Sequence, residues 1–388
     1  MSGPLIYLVA GEPSGDRLGA GLIRALRAAR PDAEFAGVGG LQMQAAGLRS
    51  LFEMSDLTVM GIAEVVPRLP TILRRMRQTT ADVLARRPAA LVTIDAPSFG
   101  LRVAERVRRA APGIRTVHYV APSVWAWRPG RAKHMARFTD QVLALLPFEP
   151  PYMAAAGMEC DFVGHPLADL PPVPPESLAA FRAARGIAPE TPLLVLAPGS
   201  RRGEVGKLMP VFGEAAARLA AERPGLEAVV PVAETVAASV TGWAASLPMR
   251  AHPVLPDAGE AAKRAGLASG AAALLASGTM GLEMAAAGTP HVSAYRASWL
   301  TAAIVRRLVR VDTAHLVNLV LGEKAVPERF QEACTAAALV EAVRPLLDPG
   351  PAREAQRAAF ARAFERLGRG GPGASAQAAA AVLRGIGG

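Results

Sequence analysis

The chain has 388 residues and a formal charge of +10, with 51% hydrophobic and 20% charged residues. That is enough apolar surface for two or three cored domains, and it excludes wholesale disorder. Two cysteines, Cys160 and Cys334, exclude a disulfide scaffold and read as small buried hydrophobes of a reducing compartment.

The basic surplus favours anionic partners, phosphates or an anionic membrane surface. No zinc-finger spacing, RNP-like aromatic motif or lysine-rich tail points to nucleic acid. Met1-Ser-Gly-Pro carries no basic n-region, and the apolar run that follows is too short for a signal-peptide core. The longest uncharged run, 265–282, holds four glycines with Ser269, Ser277 and Thr279, so it reads as a short buried strand between loops rather than a membrane span. These features predict a cytoplasmic protein whose membrane contact is peripheral.

The first strand is predicted at 5–10, ending in Gly11-Glu12-Pro13-Ser14-Gly15-Asp16. A helical face follows at Leu18, Leu22, Ile23 and Leu26. Further strands are predicted at 89–94, 116–120 and 141–145, with a helix over 101–110, so residues 1–169 form a doubly wound α/β domain. Four prolines in 170–175 make a stiff linker that leads into a helix, together 170–192. Strands at 193–197, 227–231, 251–255, 271–276 and 291–295 then repeat the pattern, giving a second such domain over 193–345. The alanine- and arginine-rich residues 346–388 read as capping helices whose docking the sequence leaves open. Two doubly wound domains facing each other would enclose a cleft between the carboxyl ends of their sheets.

Three βα loops hold the candidate chemistry. Gly11, Glu12, Ser14, Gly15 and Asp16 form the first, where glycine allows backbone to approach a ligand and a helix N-terminus favours an anion. The second loop, Pro198-Gly199-Ser200-Arg201, brings amides, a serine and a guanidinium to one place. In the third, Ser277, Gly278 and Thr279 start a helix, and Glu283 lies one turn on, where an acid can accept from two ribose hydroxyls. Together the last two loops fit a nucleoside diphosphate. Each loop alone also has a plain structural use as a turn, a solvated loop or a cap. Asp95, at the end of a strand, is placed either to cap a helix or to act as a general base. The six histidines, His118, His134, His165, His252, His291 and His315, are scattered, and no Asp-x-Asp pair occurs. No metal or cofactor is expected.

Residues 59–77 join Val59, Met60, Ile62, Val65, Val66, Leu69, Ile72 and Leu73 to Arg68, Arg74, Arg75 and Arg77. That pattern suits either insertion into an anionic bilayer or an ordinary surface helix. Residues 299–310 repeat it, with Leu300, Ile304 and Leu308 opposing Arg306, Arg307 and Arg310.

Taken together, Ala10-Gly-Glu-Pro-Ser-Gly-Asp, Met60-Gly-Ile-Ala-Glu-Val, Ile94-Asp-Ala-Pro, His118-Tyr-Val-Ala-Pro-Ser-Val-Trp-Ala-Trp-Arg, Leu146-Pro-Phe-Glu, Pro198-Gly-Ser-Arg and Ala276-Ser-Gly-Thr resemble the lipid-A-disaccharide synthase family. The resemblance runs from about residue 5 to residue 334. It implies a GT-B fold and a metal-independent, inverting glycosyl transfer from UDP-2,3-diacylglucosamine to 2,3-diacylglucosamine 1-phosphate (lipid X) at the inner membrane. By the same resemblance Asp95 is the base, Arg201 the diphosphate contact, Glu283 and Asn318 nucleotide contacts, and Trp125 part of the acceptor side. Val317 stands where the family usually has proline, and Ser98 and Gly100 replace a second carboxylate and an asparagine, leaving Asp95 the only acid of its motif. Two other readings stay open: a UDP-sugar enzyme of the same fold acting on a non-acylated substrate, and a non-catalytic protein that binds anionic lipid. A homodimer is left open as well.

Overall fold

A computed structural model describes residues 3–57, 62–126, 130–297 and 312–387, with the backbone alone for 62–66. Val59, Met60, Trp127 and the segment 299–310 lie outside the described residues, as do the side chains of Ile62 and Val66. The chain divides into two compact units, Met1–Asp169 with Leu367–Gly388, and Leu170–Arg366.

In the first unit, β1 (Leu5–Ala10), β2 (Glu34–Val38), β3 (Arg49–Ser50), β4 (Ala90–Ile94), β5 (Arg115–Tyr119), β6 (Gln141–Ala144) and β7 (Glu159–Phe162) form one parallel sheet. Its order is β3-β2-β1-β4-β5-β6-β7. In the second, β8 (Leu193–Ala197), β9 (Glu227–Pro231), β10 (Ala251–Val254), β11 (Ala272–Ala276), β12 (His291–Tyr295) and β13 (Glu328–Phe330) are ordered β10-β9-β8-β11-β12-β13, again all parallel.

The central strands are continuous apolar runs because helices cover both faces of each sheet. Tyr7 and Val9 of β1 join one core, and Ile6, Leu8 and Ala10 join the core on the opposite face. β8 divides the same way, Leu194 and Leu196 against Leu193, Val195 and Ala197. The strands that sequence reading overlooked, β2, β3, β7 and β13, lie at or beside sheet edges, where half-exposed residues such as those of Glu159-Cys-Asp-Phe162 replace the apolar run.

The C-terminal residues part company. Helices Ala336–Leu347 and Pro351–Arg366 belong to the second unit. Helix Ala374–Gly385 belongs to the first and packs on helix Pro13–Ala29, with Ala378, Ala379, Ala381 and Val382 buried beside Leu22, Ile23 and Leu26. Alanines on that face let the two helix axes come close.

Candidate active site

Strand order reverses between β1 and β4 in the first sheet and between β8 and β11 in the second. Loops leave the carboxyl ends of neighbouring strands in opposite directions at such a point and open a crevice there. The three loops singled out above, and the turn that carries Asp95, follow these four strands.

In the first unit the helix already starts at Pro13, so Ser14, Gly15 and Asp16 form its first turn rather than a free loop. Proline fits there because the first helical amide has no partner to lose. The Ser14 hydroxyl donates to Asp95 Oδ2 at 2.8 Å. Two glycines permit that approach: a Cβ on Gly15 would lie 3.1 Å from the Ile94 carbonyl oxygen, and one on Gly11 3.1 Å from Ala96 Cβ. Asp95 and Ala96 hold φ of 49° and 36°, a left-handed turn that costs non-glycine residues about 1–3 kcal/mol each. The Glu12 carboxyl is pushed up, first by desolvation and then by the neighbouring Asp95. A half-buried carboxylate, oriented by a hydroxyl and with a second acid beside it, can accept a proton from a substrate alcohol.

Asp16 does something else. It is buried, and its Oδ1 accepts from the Gly40 and Met43 amides at 2.8 and 3.0 Å while Oδ2 accepts from the Gln42 amide at 3.0 Å. It fastens helix Leu41–Ala45 to the first helix. Trp125 is held edge-on by Phe148, with ring centroids 5.2 Å apart, and its indole N–H donates to Glu149 Oε1 at 3.3 Å. Glu149 also accepts from the Leu146 amide at 3.1 Å, and burial pushes its carboxyl up to about 7.

In the second unit, a cavity of about 560 Å³ lies at the carboxyl ends of β8 and β11. Gly199, Ser200, Arg201, Ser277, Gly278, Thr279 and Glu283 all line it. One local detail departs from expectation: the Glu204 carboxylate, from the first turn of helix Arg202–Glu222, accepts from the Ser200 and Arg201 amides. It packs so tightly under Gly199 that a Cβ there would meet its Oε2 at 2.2 Å. These amides are therefore already satisfied, as in a capping box. That leaves Arg201, exposed and without an ion-pair partner among the described residues, as the unbound cation of the cavity wall. The other cation, Lys263, is ion-paired with Glu283 and lies 4.0 Å from Glu260.

Sequence reading missed Lys263. Its signal was faint: one of four lysines in a chain that otherwise uses arginine.

The lipid-A-disaccharide synthetase family profile matches residues 6–382. The chain belongs to this family. A lipid-A-disaccharide synthase of Ruegeria pomeroyi is 50% identical over 387 residues, covering 97% of this chain and 94% of that protein. Among solved structures, UDP-GlcNAc 2-epimerase from Neisseria meningitidis bound to UDP-GlcNAc is similar with a TM-score of 0.62 at 11% identity, over 98% of each chain. The glycosyltransferase of kitacinnamycin is similar with a TM-score of 0.62 at 15% identity, over 99% of each. The fold is that of GT-B enzymes, two parallel-sheet α/β domains. As a member of the lipid-A-disaccharide synthase family the chain is a glycosyltransferase of lipid A disaccharide synthesis.

Asn318, which the family resemblance brought forward, and Arg75, from the arginine-flanked apolar stretch 59–77, both have structural partners. Asn318 is fully buried outside the cavity lining: Nδ2 donates to the Val326 carbonyl at 2.9 Å and to Glu328 Oε2 at 3.2 Å, and Oδ1 accepts from the Val326 amide at 2.8 Å. With its polar atoms occupied, it ties helix Leu316–Leu321 to β13. Arg75 binds Asp56 at 2.7 Å and lies 4.5 Å over the Phe52 ring, so it anchors helix Ile62–Arg86. Arg74, Arg77 and Leu69 are exposed on that helix.

Proposed function

We propose that this glycosyltransferase moves the diacylglucosamine unit of UDP-2,3-diacylglucosamine onto the 6-hydroxyl of lipid X with inversion. The products are the β-1,6-linked lipid A disaccharide 1-phosphate and UDP. The observation that carries the reading is the second-unit cavity, which joins an unpaired arginine to a glutamate held in place by a lysine. The arginine suits a diphosphate, and the glutamate suits a ribose diol.

The acceptor oxygen attacks the anomeric carbon from the face opposite UDP. As the new C–O bond forms, Asp95 takes the hydroxyl proton. The anomeric C–O bond breaks with its electron pair going to the diphosphate. Arg201 opposes that growing charge, the part oriented dipoles and cations play in an oxyanion hole. No step calls on a metal ion, so turnover is expected to survive EDTA. The acylated substrates place the protein at a membrane, and the exposed Arg74, Arg77 and Leu69 favour peripheral attachment to the anionic inner leaflet from the cytoplasm. Among the described residues no helix is long and apolar enough to cross a membrane.

Mass spectrometry of products from UDP-2,3-diacylglucosamine and lipid X tests the reading. A disaccharide monophosphate is expected. Equal use of UDP-N-acetylglucosamine, or no condensation, would overturn it.

A further inference from the structure

The first unit has a groove of about 600 Å³ that the chemistry above does not use. It begins at Pro97 and Ser98, the second and third residues after Asp95, and runs between helices Gly100–Ala110 and Gly130–Met135. Arg102, Arg106 and Arg109 line it from the first helix, a stripe at spacings of four and three. Arg131 and His134 line it from the second. Glu105 is the one carboxylate among the described lining residues, and it is ion-paired with Arg109 at 2.5 Å.

The guanidinium groups of Arg102, Arg106 and Arg131 have no hydrogen-bond or ion-pair partner among the described residues. The contrast with Arg108 on the same helix is instructive, since it binds Asp140, Thr116 and the Pro112 carbonyl. Cations gathered in one groove repel one another, and an anion between them removes that cost. Arg131 lies in the first turn of the second helix. Its charge, after burial, helps lower His118 to about 4, and His118 lies 2.8 Å from Thr93, two residues before Asp95.

We propose that this groove holds the phosphate of the acceptor, with Arg102 and Arg131 gripping the phosphomonoester while the 6-hydroxyl of the same sugar lies at Asp95. This rests on the acceptor being a sugar 1-phosphate, as proposed above. Guanidinium forks match the oxygens of a phosphate in pairs, and a monoester dianion matches two such forks. The start of helix Gly100–Ala110 adds its dipole at the same end of the groove. Membrane lipids offer the same phosphate chemistry as diesters, so the test must separate the two sources.

Glucosamine 1-phosphate, which lacks acyl chains, is titrated by phosphorus NMR into the wild-type protein and into Arg102→Ala/Arg131→Ala, with matched melting curves. At least tenfold weaker binding to the variant is expected. With lipid X in detergent, the variant should raise the acceptor KM at least tenfold and leave the donor KM unmoved, and the gap should close on dephosphorylated lipid X. Equal affinity of both proteins for glucosamine 1-phosphate would overturn the proposal. So would equal losses on the two acceptors, or reduced binding to phosphatidylglycerol vesicles with glucosamine 1-phosphate binding intact. A wild-type protein that makes no disaccharide would sink the proposed activity, and the NMR arm would still decide the groove.

Discussion

Asp95 is held by a serine hydroxyl at 2.8 Å in a turn that a non-glycine residue adopts only at a cost. Asp95→Asn keeps the shape of that contact and removes the base. Turnover is expected to fall by about 10²–10⁴ with UDP affinity unchanged, and initial rates above about a tenth of wild type would contradict the role. Across the second-unit cavity the division of labour is different. Arg201→Ala should weaken UDP far more than uridine, because it answers the diphosphate. Glu283→Ala should weaken both alike, because it answers the ribose. Calorimetry on the two ligands checks this, and equal losses in all four titrations would refute the division. Glu149 gives a pH signature. Burial raises its carboxyl from 4.5 to about 7, so the folded state keeps a proton that the unfolded chain releases. The stability from this group is full below about pH 4.5 and is lost as pH rises through about 7. Glu149→Gln should flatten that decline, seen as melting temperatures that converge at acid pH and diverge in the variant's favour above neutrality.

At the scale of the element, helix Ile62–Arg86 has two kinds of arginine. Arg75 is tied to Asp56 and Phe52, whereas Arg74 and Arg77 face solvent. Arg74→Ser/Arg77→Ser should cut binding to anionic vesicles about tenfold or more at low salt, at roughly 1 kcal/mol per cation near the surface. The loss should shrink in high salt as screening shortens. Arg75→Ser should instead lower the melting temperature and leave vesicle binding nearly intact. Sedimentation beside a melting curve separates the two, and vesicle binding that ignores the first variant would remove this helix from any membrane role. Pattern alone could not make this distinction. All three arginines read alike in sequence, and only the partners brought by residues 52–56 mark one as an anchor.

For the whole molecule, the chain crosses between its units twice, at Asp169–Leu170 and again at Arg366–Leu367. The last helix is therefore a structural part of the first unit, not a tail. Truncation after Arg366 would uncover the apolar face of helix Pro13–Ala29. At about 25 cal/mol per Å² of apolar surface, the loss should reach about 2 kcal/mol or more, which is roughly 4–8 °C in a unit of this size. Calorimetry that finds the first unit's transition unmoved would show the docking to be dispensable.

Much of this was legible from residues alone. The central strands β1, β4, β8 and β11 are apolar runs closed by Gly, Asp, Pro or Ser, a local signal strong enough to announce a parallel sheet and to place Asp95, Arg201 and Ser277 in the loops at strand ends, with Glu283 in the helix that follows. The motifs carried the family as well. Other features were decided by tertiary structure. Edge strands lack a burial pattern because a neighbour covers little of them. The backbone amides and carbonyls that Asp16 and Asn318 satisfy come from other segments and could not be read from their motifs. The pairing of Lys263 with Glu283 joins residues from different helices, and the groove beyond Asp95 gathers its cations from two more. Periodicity and turn chemistry act between near neighbours in the chain. The partner of a charge and the occupant of a crevice depend on which distant segments fold against it.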